Sequence, residues 1–186
     1  MNEIDILADL YEDIVRDLGP EILPLTAEEL DWLPGPRANP IGVTVWHIAR
    51  GMDFLVTRLM LQKGAEDEIW HTNGWRERSG YDPRGIGYDG WGVLTGYSWD
   101  EVLAIPRLGA PQLMEYLEQS ESALVRQLRT FTPETIHQPA WAMLGGKLTY
   151  YRWVKEFYKG YQAHIGEIVA IKELMINHQA MEAQSL

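Results

Sequence analysis

The sequence predicts an all-α protein: a four-helix bundle with a long irregular Gly/Trp-rich segment between its second and third helices. Three observations carry that prediction. Four long stretches repeat apolar residues at spacings of three and four, the period of a helix with one face on a core. No stretch of any length alternates apolar and polar residues as a half-buried strand does. Caps and turn residues such as Gly19-Pro20, Thr26, Pro34-Gly35-Pro36 and Ser98 fall between the periodic stretches. At 186 residues the chain is long enough to bury a core as one domain. That domain is read as residues 1–178, with 179–186 as a polar tail.

The first helix is expected over Asn2–Leu18, where Ile4, Leu7, Leu10, Ile14 and Leu18 make one stripe and Gly19-Pro20 stops the ladder. Thr26 with Glu29 three residues later is a capping box that opens a short turn up to Trp32. Leu33 to Pro40 is a rigid linker. A second helix follows from Ile41 to about Gln62, apolar most of the way round, as in a helix buried among others. Its polar exceptions His47, Arg50 and Asp53 are spaced by three and form a short ridge. Each unsatisfied group there would cost ~1–3 kcal/mol, so they are expected to satisfy one another or a loop.

From Gly64 to Gly109 no helical period survives, apart from a Ser98/Glu101 capping box and the turn it implies. Seven glycines fall between Gly74 and Gly96, interleaved with Trp and Tyr. These aromatics are read first as a cover over the core, then as a pocket wall or a subunit contact. A third helix is expected over Ala110–Phe131, with Pro111 tolerated in its first turn. Thr132 to Gly146 reads as loop, and Gly145-Gly146-Lys147 is too short to cradle a phosphate. The last helix runs from about Thr149 to Asn177, with Trp153, Phe157, Tyr161, His164, Ile168, Ile171 and Met175 on its apolar face.

Composition narrows the function classes. The balance of 16 basic and 27 acidic residues gives a net charge of −11, which repels phosphate backbones and argues against nucleic-acid partners. No apolar run approaches the ~20 residues of a membrane span. The acidic N-terminus lacks the basic start of a secretory signal, so a cytoplasmic protein is expected. Without cysteine, any metal must be held by His, Asp or Glu.

Three blocks carry a family resemblance. Asn39-Pro40-Ile41-Gly42-Val43-Thr44-Val45-Trp46-His47-Ile48-Ala49-Arg50 is similar to the helix-two signature of the DinB/YfiT-like superfamily, and His164-Ile165-Gly166-Glu167-Ile168 resembles its helix-four signature. Gly74-Trp75-Arg76-Glu77-Arg78 resembles a segment of one DinB-like branch. The resemblance implies an up-up-down-down bundle, commonly a homodimer, with zinc or nickel on three side chains. Two of these match His47 and His164. The third, a His, Glu or Asp four residues before the latter, falls on Gly160, which offers no donor. His71, Asp53 or Glu167 would have to replace it, and tight metal binding is not expected. Characterised relatives include thiol-dependent transferases and isomerases in which the metal lowers a thiol pKa.

Two functions follow. In the first, the chain is a metal-assisted transferase or hydrolase acting on a small molecule: a metal on His47 and His164 activates a thiol or water, Arg50 orients an anionic substrate and Trp75 walls the pocket. In the second, the bundle is non-catalytic and binds a small molecule or serves as a dimeric scaffold, with His47 and His164 as a buried polar pair. In both, Gly160 and Tyr161 border the pocket, Gly160 leaving space beside His164.

Overall fold

The computed structural model describes residues 2–140 and 148–185. Among them there is no strand, only an isolated bridge between Pro139 and Thr149, and the chain is all-helical. Gly145-Gly146-Lys147 lies outside the described residues.

The helices are α1 (Glu3–Ile22), α2 (Ala27–Leu30), α3 (Ile41–Phe54), α4 (Ile69–Thr72), α5 (Trp75–Ser79), α6 (Trp99–Leu103), α7 (Ala110–Leu128) and α8 (Tyr150–Gln184). Four of them are long. α1 and α3 each pack against both α7 and α8, which places the core between the four. The capping boxes form as expected: Thr26 and Ser98 accept from the backbone N–H of Glu29 and Glu101, whose carboxylates accept in return.

Several boundaries differ from the sequence expectation. α1 continues past Gly19-Pro20 to Ile22, because Ile22 is fully buried and only one N–H is lost at Pro20 in the last turn. α3 widens after Phe54 into a π-helical stretch, Leu55–Met60, and ends where Gln62 turns to φ 54°. α7 stops at Leu128, three residues early, and Phe131 instead packs on Tyr150. α8 does not end at Asn177 but runs to Gln184, a 35-residue helix about 52 Å long.

The segment from Gly64 to Gly109 holds short helices joined by tight turns. All seven of its glycines from Gly74 to Gly96 adopt positive φ. At Gly92 a Cβ would lie 2.5 Å from the Pro83 carbonyl oxygen, so the turn excludes any side chain. Trp70 and Trp75 of this segment are fully buried, 6.1 Å apart, and Trp75 lies 5.3 Å from Tyr116 of α7. Each buried ring withdraws some 150–250 Å² from water, enough to fix a segment with little regular structure.

Candidate functional site

The polar ridge on α3 divides between two environments. Arg50 and Asp53 face inward. Arg50 is 1% exposed, and its guanidinium donates to Asp53 Oδ2 (3.0 Å), Glu68 Oε2 (2.9 Å), Tyr116 Oη (3.3 Å) and the Gly92 carbonyl (3.1 Å). Asp53 also accepts from the backbone N–H groups of Ile69 and Trp70 and from the Tyr116 hydroxyl. Burial opposes the Arg50 charge, but Tyr116, Glu68 and Asp53 outweigh it and hold the guanidinium protonated above its ordinary range. This network fastens the Gly-rich segment to α3. Glu68 is central to it and carries no mark in the sequence that singles it out.

His47 is the third member of the ridge and faces α8. Its ring lies 4.9 Å, centroid to centroid, from that of His164, edge to face at 81°. His47 Nδ1 is enclosed and has no hydrogen-bond partner among the described residues. Burial and then the neighbouring His164 push its pKa down to about 4, so the imidazole is neutral at pH 7. His164 sits on the flank of α8 with a quarter of its side chain exposed, because the buried positions of that helix, Val154, Tyr161, Ile168 and Met175, recur every seven residues. Its Nδ1 lies 2.6 Å from Glu167 Oε2, one turn further along. With the carboxylate accepting, Nδ1 carries the hydrogen and Nε2 is the nitrogen left over.

A cavity of about 140 Å³ opens beside this pair. His47, His164, Gly160 and Tyr161 line it, together with Gly51, Phe157 and, from the Gly-rich segment, Trp91, Val93 and Thr95. Gly160 is exposed, and a Cβ there would meet nothing within 4 Å. Tyr161 is 3% exposed and its hydroxyl has no partner among the described residues. It presses on Gly51, where a Cβ would lie 2.6 Å from the hydroxyl oxygen.

Arg50 and Trp75, expected in the pocket, do not line this cavity. Arg50 is consumed by the buried network, and Trp75 stacks on Trp70 with its indole N–H donating to Gln119. Val93 and Thr95 flank Leu94, a non-glycine residue at φ 76°, and no pattern in the sequence marks that turn.

Among the described residues the donors near this cavity do not make a three-ligand metal centre. Two imidazoles at this spacing could share an ion, but catalytic zinc keeps three protein donors and an open position. Gly160, one turn before His164, offers no donor. Glu167 is committed to His164 Nδ1, and Asp53 is spent on the Arg50 network. His71 stands near Glu68 and Asp82 instead, at 4.0 and 3.9 Å, and does not line the cavity. Among the described residues no group of three His, Cys, Asp or Glu side chains comes together to hold an ion.

The comparisons with known proteins agree on the fold. No curated protein matches the chain. A solved structure, of the conserved protein of locus from Enterococcus faecalis, superposes with a TM-score of 0.80 at 16% identity, over 95% of this chain and 99% of that one. At that identity the likeness speaks for the fold alone. The family model of the DinB superfamily matches residues 12–168, from the middle of α1 past both histidines, and the chain therefore belongs to the DinB superfamily.

Proposed function

We propose that this chain is a small-molecule-binding member of the superfamily, descended from metal-dependent enzymes and working at the His47–His164 cavity with an incomplete metal site. The observation that supports this reading best is the pairing of two imidazoles at 4.9 Å with a glycine in the third place and open space beside it. A neutral His47 and an unpartnered Tyr161 hydroxyl offer a ligand hydrogen bonds, while Phe157, Trp91 and Val93 offer apolar wall. In this reading the four long helices form the up-up-down-down bundle, and the segment from Gly64 to Gly109 is a fixed cover that lends one wall to the pocket. A cytoplasmic homodimer fits it, with Val169, Leu174 and Ile176 of α8 as exposed apolar surface for a second copy. The net charge of −11 speaks against nucleic acid, and no described helix is long and apolar enough to cross a membrane.

One observation favours the enzyme reading, a zinc- or nickel-dependent transferase or hydrolase. The Glu167–His164 hydrogen bond is the kind of outer contact that orients a metal-ligating imidazole. Metal analysis separates the two. Tag-free protein incubated with zinc or nickel and then desalted is expected to retain far less than one ion per chain. About one ion per chain, lost in His164→Ala, would establish the enzyme reading in its place. Gly160→His is expected to create tight binding by supplying the third imidazole, at roughly one ion per chain.

A further inference from the structure

The His47–His164 cavity carries information on what kind of molecule it takes, and this deepens the functional reading above. Size sets the first limit. At about 140 Å³ it matches the ~150 Å³ apolar cavity that holds a benzene molecule, so the occupant is one ring with few substituents. Charge sets the second. Among the described residues, no Asp, Glu, Lys or Arg lines the space. The exposed Glu167 carboxylate that partners His164 lies outside the lining. An ionic group here would be desolvated without a committed counter-charge. Shape and polarity set the third. Trp91 and Phe157 present aromatic surface, while the Tyr161 hydroxyl, in a side chain only 3% exposed, has no acceptor among the described residues.

We infer that the cavity is a binding site for a neutral, single-ring aromatic molecule bearing a hydroxyl group, of the phenol class. A phenolic hydroxyl accepts at its oxygen from the Tyr161 O–H and donates its own hydrogen to an imidazole nitrogen, so one substituent answers both kinds of group. The ring fills the space between Phe157 and Trp91, and the molecule enters past Gly160, where the absent side chain leaves the approach open.

Calorimetric titration of the tag-free full chain tests this with phenol itself as probe, toluene as the same shape without the hydroxyl, and benzoate as the charged control. Phenol is expected to bind with Kd below about 1 mM, and toluene and benzoate about tenfold more weakly or not at all. Gly160→Leu is expected to abolish phenol binding with its helical circular dichroism intact. Tyr161→Phe, which keeps the ring, is expected to bring phenol down to the level of toluene. Phenol binding unchanged in Gly160→Leu places the site elsewhere and overturns the assignment. Benzoate binding more tightly than phenol, and lost in Gly160→Leu, overturns the ligand class while leaving a small-molecule pocket in place. No binding of any probe to a chain that also retains one zinc, lost in His164→Ala, sinks the metal-free pocket reading together with the ligand class.

Discussion

At the scale of single residues, His47 and Arg50 show how neighbours on one helix face diverge. Both are polar groups on a buried helix, three positions apart. Arg50 is surrounded by acceptors and stays charged, whereas His47 meets another imidazole and an apolar cavity and stays neutral. That difference has a pH signature. The folded pKa of His47, about 4, lies below its unfolded value of ~6.5, so the unfolded chain takes up the proton first as pH falls. Stability from this group is therefore complete above pH ~6.5 and lost as pH drops toward 4, by something on the order of 2–3 kcal/mol for a partly exposed ring. Thermal midpoints measured from pH 7 to 4 are expected to fall less steeply in His47→Gln than in the wild type. Equal slopes would mean that another group titrates. The two histidines were legible in the sequence as eligible to meet, because they fall on the second and fourth helices of an expected bundle, whose facing side chains point into one core. The roles expected of Arg50 and Trp75 were not, since a polar or aromatic residue near a site has the same spelling whether it faces the ligand or the core. Only the positions of Glu68, Asp53, Tyr116 and Gly92 around the guanidinium decide it.

At the scale of elements, the contact between α3 and α8 defines the cavity. Gly51 removes a side chain where Tyr161 must approach, and its missing Cβ lets the phenol ring lie against the helix backbone. Gly51→Ala is expected to cost about 1–3 kcal/mol, read from the urea unfolding midpoint, because the buried Tyr161 ring has little room to retreat. In a Tyr161→Phe background the same change should cost markedly less, since the nearest clash is with the hydroxyl oxygen at 2.6 Å. Additive effects of the two substitutions would refute this account of the packing. Gly51 was read in the sequence only as part of a buried helix, whereas Gly160 was singled out. Both are helix-interior glycines, but one is occupied by a neighbour's ring and the other faces open space.

At the scale of the whole molecule, α8 outruns the core it serves. Its last buried side chain is Met175, and the described residues from Ile176 onward are exposed. Deletion of residues 179–186 is expected to change the unfolding free energy by less than about 0.5 kcal/mol in chemical denaturation. A larger loss, with a shift in sedimentation toward the monomer, would show that this end of the helix is an interface. Sequence periodicity by itself determined that the protein is helical and where its four long helices lie, and two short motifs marked it as a member of its superfamily. These features are local, or repeat along the chain with the period of the backbone. Tertiary structure alone decided which side of α3 holds a closed ion network and which an open cavity. It also decided that Val93 and Thr95 wall that cavity and that α1 runs on past its expected end to the buried Ile22. Those outcomes depend on what other segments bring to each residue, and burial by a distant neighbour leaves no mark on the residues that are buried.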